Sequence, residues 1–130
     1  MNPDNKCGWE AVRILAKQCY QSGLHSEAEN HFTAALKEAE RFGESDVRLF
    51  TSLCDLGRYY SARAEYENAG PLFERAIRLA KRAGQTATVR DAKREYEIVK
   101  SRMSDNAGSV AGLDSTSISF WLRKVSKAIG

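Results

Sequence analysis

The feature that most constrains the fold is an internal repeat. Residues 9–43, WEAVRILAKQCYQSGLHSEAENHFTAALKEAERFG, align without a gap with residues 50–84, FTSLCDLGRYYSARAEYENAGPLFERAIRLAKRAG, at an offset of 41 residues. Several matches fall on small and apolar positions: Ala28 on Ala69, Phe32 on Phe73, and Ala35 on Ala76. Because a long internal period is typical of repeat architectures, the sequence predicts two stacked copies of one structural unit.

Each unit carries two stripes of apolar residues at helical spacing. In the first unit they are Val12, Leu15, Ala16 and Cys19, then Ala28, Phe32, Ala35, Leu36 and Ala39. A short polar break separates the two stripes, so each unit is predicted to be an antiparallel helical hairpin. Gly43 and Gly84 end the units, as expected where a left-handed residue follows a helix. Residues 44–46 (ESD) and 85–88 (QTAT) then offer N-cap side chains to the following helix.

The second unit contains three residues that weaken helices, namely Gly57, Gly70 and Pro71. We expect Gly57, like Ala16 in the first unit, to let the two helices approach closely while Phe73 fills the space between them. Pro71 is expected near the start of its helix, where its missing N–H matters less. The sequence suggests no necessary role for Gly70.

The small and aromatic positions resemble the tetratricopeptide repeat. The second unit matches that motif at Leu56, Gly57, Tyr60, Tyr66, Ala69, Phe73 and Ala76. The first matches at Leu15, Ala16, Gly23, Ala28, Phe32 and Ala35, with Cys19 and His25 in place of two tyrosines. The period is longer than the usual repeat of about 34 residues and is similar to the long repeats of kinesin light chains and related bacterial proteins.

The resemblance implies an all-α fold, a right-handed superhelical stack of antiparallel helix hairpins. We expect residues 1–8 to be an N-terminal extension and residues 9–103 to be the repeat domain, with a capping helix over residues 86–103. Residues 104–117 are rich in Ser, Gly, Asp and Asn, which predicts a flexible linker. Residues 118–130 have apolar side chains at helical spacing and are expected to form an amphipathic helix.

In repeats of this kind, peptides usually bind the concave face lined by the first helix of each unit. The resemblance places there Arg13, Lys17, Tyr20, Gln21, Asp55, Arg58 and Arg94. Lys17 and Arg58 are either a pair that holds a ligand carboxylate or a solvated basic pair. Asp55 stands where peptide-binding relatives often carry Asn, and an ionised Asp cannot donate a hydrogen bond to a ligand.

Motifs of catalysis are not found. The sequence has no Gly-rich phosphate loop, no GxSxG and no HExxH. The cysteines Cys7, Cys19 and Cys54 are too widely spaced to indicate a disulfide framework or a zinc site. The formal net charge is only +3, and acidic residues are interspersed with basic ones. We therefore predict a cytoplasmic, non-catalytic adaptor that needs no cofactor or metal and binds a protein or peptide rather than nucleic acid.

The C-terminal segment supports an alternative function. Its predicted helix carries Phe120, Trp121, Leu122 and Val125 together with basic residues. Three interpretations remain open: the helix folds back on the capping helix, it docks on a partner or a second copy of the chain, or it lies on a membrane surface. In the last two cases the protein is a self-associating or membrane-peripheral module.

Overall fold

A computed structural model describes the backbone of residues 6–111 and the side chains of residues 8–105. It contains five helices: α1 (Lys6–Gln21), α2 (His25–Glu40), α3 (Val47–Ala62), α4 (Tyr66–Arg82) and α5 (Thr86–Ala111). Successive helices pack against each other, and α3 also contacts α5. The described residues contain no strand. The predicted all-α stack of helical hairpins is confirmed, with α1–α2 and α3–α4 as the two units.

The core lies between the helices of the second unit and their neighbours. Phe50, Leu53 and Phe73 are fully buried, and so is Val99 of α5. Leu15 was expected in the packed stripe of α1, but 42% of it is exposed. This expectation is wrong because α1 is the outermost helix of the described stack, so its outer side has no neighbour.

The turns follow the sequence pattern closely. Gly23, Gly43 and Gly84 all have positive φ angles, of 81°, 105° and 74°. Ala64 occupies the position aligned with Gly23 and shares its left-handed conformation, with φ of 60°. A left-handed backbone costs an alanine roughly 1–2 kcal/mol. The hairpin turn of the second unit therefore carries a strain that the first unit avoids.

The close contact predicted at Gly57 is present. A Cβ atom added there would lie 2.8 Å from Cζ of Phe73 and 3.0 Å from each Cε atom of the same ring. The Phe73 ring is fully buried and therefore has little freedom to withdraw. Only glycine at this position lets α3 and α4 sit as close as they do.

Gly70 gains an explanation from its neighbour Pro71. Pro71 is the sixth residue of α4, past the first four N–H groups that lack helical partners, so the expectation that its missing N–H matters less is wrong. The helix nevertheless continues through Pro71 to Arg82, so the proline does not break it. A Cβ atom on Gly70 would meet Tyr96 and Val99 of α5 only at 3.9 Å, which is ordinary contact. A helical residue that precedes proline is instead disfavoured because its Cβ clashes with the proline ring. We infer that glycine is favoured at this position because it has no Cβ to clash.

The ends of the repeat domain differ from the sequence prediction. Helix α1 begins at Lys6, so the expected N-terminal extension is partly helical. Helix α5 runs to Ala111, through the first half of the segment predicted to be a linker. Once a packed helix has formed, each further residue adds a hydrogen bond at low cost, and this outweighs a composition that favours loops. The rest of the predicted linker and the amphipathic segment 118–130 lie outside the described residues. No helix between residues 6 and 111 is long and apolar enough to cross a membrane.

Candidate peptide-binding groove

A row of ion pairs joins the first helices of the two units to α5. Arg13 of α1 donates from Nε to Oδ2 of Asp55 on α3 at 2.6 Å. Arg58, one turn further along α3, lies 3.6 Å from the other oxygen of Asp55 and donates from Nε to Oε1 of Glu95 on α5 at 3.0 Å. Asp55 is buried, and each of its two carboxylate oxygens faces an arginine. This row holds α1, α3 and α5 side by side along one face.

Trp9 extends the row at the start of α1. Its indole Nε1 donates to Oγ of the buried Ser52 at 2.7 Å. The guanidinium of Arg13 lies 4.9 Å from the centre of the Trp9 ring, within the range of a cation–π interaction. Arg13 is thus held from two sides and serves the packing of the helices.

A cavity of about 310 Å³ lies next to this row, and we name it the groove cavity. Its lining residues come from the later turns of α1 and α3 and from α2: Lys17, Tyr20, Phe32, Asp55, Arg58, Tyr59 and Ala62. Lys17 is exposed and forms no ion pair with any carboxylate in the described part of the chain. Of the two cations that line the cavity among the described residues, Lys17 is therefore the one without an ion pair.

Aromatic rings form the apolar wall of the groove cavity. Tyr59 packs against Tyr20 edge-on, with ring centres 6.0 Å apart, and against Phe32 at 5.7 Å. The hydroxyl of Tyr59 donates to the backbone oxygen of His25 at 2.9 Å. Burial raises the pKa of Tyr59, so its hydroxyl keeps the proton that it donates. These contacts hold the aromatic wall in place. The polar side chains beside it in the cavity lining are Lys17, Asp55 and Arg58.

The structure brings together four of the seven predicted groove residues. Lys17, Tyr20, Asp55 and Arg58 line the cavity. Arg13 contacts Asp55 from outside it, whereas Gln21 and Arg94 are exposed and do not line it. Residues Phe120, Trp121, Leu122 and Val125, the predicted docking residues, lie outside the described part of the chain.

The sequence prediction did not place two of the lining residues in the groove: Phe32, which was expected only in the packed core, and Tyr59. Together with Asp55 and Ala62, Tyr59 occupies positions i, i+4 and i+7 of α3, which place all three on one helix face. That spacing was the available signal. It was obscured because Tyr59 aligns with Gln18 and therefore does not repeat between the units.

The described cysteines show no feature of a reactive site. Cys19 and Cys54 are buried free thiols. Burial raises the pKa of the Cys54 thiol to about 11, against a partial lowering by Arg58. No group of three or more His, Cys, Asp or Glu side chains that could hold a metal ion occurs among the described residues.

The family of the chain follows from comparison with known proteins. The family model described as tetratricopeptide repeat matches residues 11–82, which is more than half of the chain. The matched span includes both helical hairpins and ends with α4. The chain therefore belongs to the tetratricopeptide repeat family. Proteins of this family generally mediate protein–protein interactions and are typically non-catalytic. No curated protein is similar enough to the chain to count as a relative.

Proposed function

We propose that the protein is a non-catalytic adaptor that holds a peptide or protein segment in the groove between α1 and α3. The observation that carries this proposal is the groove cavity, where an aromatic wall and an exposed lysine lie side by side. Pockets that bind ligands commonly combine an apolar lining with a few placed polar groups. The family supports a protein or peptide as the ligand.

Lys17 is the residue we expect to contact a carboxylate of the bound segment. Arg58 shares its guanidinium between Asp55 and Glu95, and Arg13 is held by Asp55. These arginines act on the ligand mainly by keeping the groove in shape. Tyr20 and Tyr59 then offer an apolar surface to the ligand side chain next to that carboxylate.

We propose that the repeats are of the kinesin-light-chain-like kind. The 41-residue offset between them supports this proposal, because it is longer than the usual period of about 34 residues. We further propose a cytoplasmic location. Two buried cysteines that remain free thiols suit a reducing compartment, where disulfides rarely persist.

Affinity capture with matched charge variants tests the groove assignment. Tagged wild-type protein is compared with Lys17→Glu and with Lys37→Glu, which makes the same charge change at an exposed position of α2. Captured proteins are quantified by mass spectrometry. We expect Lys17→Glu alone to lose about tenfold or more of its main partner, a loss typical of breaking a charged contact at an interface.

Circular dichroism melting accompanies the capture. Both substitutions lie on the surface and should leave the melting temperature nearly unchanged. If Lys17→Glu captures the same proteins at the same yield as wild type, the groove between α1 and α3 is not the binding site.

A further inference from the structure

A strongly basic segment surrounds the turn between α4 and α5. Residues 75–94 contain seven basic side chains and a single acidic one, Asp91, while the rest of the chain is net acidic. The even mixing of charges expected from the sequence as a whole therefore does not hold here. The total charge of +3 understates this excess, because the net acidic remainder of the chain cancels half of it.

This segment lines a second cavity, of about 410 Å³, which we name the turn cavity. Its lining residues are Lys81, Gly84, Gln85, Thr86, Val89, Arg90 and Lys93. Val89 and the hydrocarbon stems of the lysines supply an apolar floor, since long basic side chains cover apolar surface while their charged ends stay in water. The charged ends of Lys81, Arg90 and Lys93 surround it.

The three cations of the turn cavity lack internal partners. Lys81, Arg90 and Lys93 are exposed, and none forms an ion pair with a carboxylate within the part of the chain that the structure describes. Arg75, by contrast, lies 3.2 Å from Glu40 on α2. The basic excess at the turn is therefore left without a counter-charge from the described residues.

The equivalent turn of the first unit has a different charge. At the 41-residue offset, Glu40 stands where Lys81 is found, and Glu44 stands where Gln85 is found. The packing of a hairpin to the next helix accordingly does not require basic residues at this turn. Lys81 lies in the last turn of α4, where the helix dipole favours a cation. The dipole does not explain Arg90 and Lys93, which lie near the start of α5, so the repeat fold does not account for the basic cluster as a whole.

The two cavities lie at opposite edges of the stack. The groove cavity is lined by the last turns of α1 and α3, whereas the turn cavity is formed where α4 ends and α5 begins. Antiparallel packing of α3, α4 and α5 places the end of α3 and the start of α5 at opposite edges. No described residue lines both cavities, so the two surfaces can be occupied at the same time.

We propose that the turn cavity is a second docking surface, which binds an acidic segment of a partner protein. Carboxylates of such a segment neutralise Lys81, Arg90 and Lys93, and an apolar side chain between them reaches Val89. A nucleic acid fits these observations less well. Among the described residues no aromatic side chain lines the cavity for a base to stack on, and the net acidic remainder of the chain repels a long phosphate backbone.

Fluorescence anisotropy with a defined probe tests this proposal. The probe is a labelled 12-residue peptide of alternating Glu and Leu, titrated with the full chain at about 50 and 150 mM salt, where screening differs strongly. Lys81→Glu/Lys93→Glu is compared with Lys37→Glu/Arg102→Glu, which changes the net charge equally at exposed positions that line neither cavity. We expect the first double variant to lose affinity about tenfold or more at the lower salt, and the second less than about threefold.

Three results would overturn the proposal. They are no binding of the peptide by wild type, an equal loss of affinity in both double variants, and tighter binding of a 20-nucleotide single-stranded DNA than of the peptide. Lys81→Gln/Lys93→Gln repeats the test without adding negative charge, should the reversal variant fail to fold. If Lys17→Glu binds the peptide as tightly as wild type does, the binding site for the peptide at the turn is distinct from the groove. This conclusion does not depend on the result of the capture experiment.

Discussion

Replacing Gly57 by alanine tests whether the spacing of α3 and α4 depends on the missing side chain. Alanine is the better helix former by about 1 kcal/mol, so helix propensity alone predicts that the variant is more stable. The structure predicts the opposite. The new methyl group would meet the Phe73 ring at 2.8 Å, closer than nonbonded carbon atoms normally approach.

The magnitude follows from two opposing contributions. Overpacking a well-packed core by one methyl group costs about 1–3 kcal/mol. At the upper part of that range the cost is about 2–3 kcal/mol. Subtracting the propensity gain of about 1 kcal/mol leaves a net loss of stability of about 1–2 kcal/mol. The upper part applies because the contact involves three ring atoms of a fully buried side chain. For a domain of this size such a loss lowers the melting temperature by roughly 3–10 °C.

Urea unfolding of four proteins measures this contribution: wild type, Gly57→Ala, Phe73→Leu and the double variant. Leucine is smaller than phenylalanine and vacates the ring position that the methyl group needs. The loss caused by Gly57→Ala should therefore disappear in the Phe73→Leu background, where only the propensity gain of about 1 kcal/mol remains. A coupling free energy of about 2–3 kcal/mol is expected between the two sites.

Either of two results would refute this reasoning. One is a Gly57→Ala variant more stable than wild type, because the ring would then have moved aside at no cost. The other is an equal effect of the substitution in both backgrounds, because the loss would then arise from something other than Phe73.

Three further predictions concern single positions. Ala64→Gly should raise the free energy of unfolding by about 1 kcal/mol, because it relieves a left-handed alanine, while Gly23→Ala should lower it by a similar amount. Gly70→Ala should stabilise by about 1 kcal/mol in a Pro71→Ala background but not in wild type, because the proline ring excludes the Cβ only in the latter. Burial raises the pKa of the Cys54 thiol to about 11. Only about one Cys54 thiol in a thousand is therefore ionised at pH 8. Peptide mapping should show iodoacetamide labelling of this residue only after unfolding, and fast labelling of the native protein would contradict its burial.

The fold was predictable because packing requirements are repeated in the sequence. Gly57 facing Phe73 and the left-handed Gly43 and Gly84 were identified from residue type and position, since each answers a steric demand that few residues meet. The length of α5 was not predictable in the same way. Residues after Met103 have a composition typical of loops, and helix propagation from a packed segment overrides such a preference.

The groove could be predicted only in part. Lys17 and Tyr20 line the cavity, in keeping with the register of α1, and their contact with a peptide stays a prediction. The roles of Asp55 and Arg58 could not be read from the sequence, because an ion pair depends on which side chains of neighbouring helices meet across the stack. Asp55 meets Arg13 and Arg58, so the residue that resembled a ligand contact is engaged by the protein itself.

The repeat also separates packing residues from residues available for recognition. A position that matches across the 41-residue offset meets the same steric demand twice, as Phe32 and Phe73 do. A position that breaks the match is released from that demand and is free to differ in charge or chemistry. Tyr59, which aligns with Gln18, lines the groove cavity in this way.

The same argument applies to the turn cavity. Lys81 aligns with Glu40, so the two units place opposite charges at equivalent turns of one scaffold. Glu40 has an internal partner in Arg75, whereas Lys81 has none among the described residues. Our proposal of an acidic partner segment rests on two observations: the cations of the turn cavity have no ion pair among the described residues, and the repeat tolerates the opposite sign at the position of Lys81.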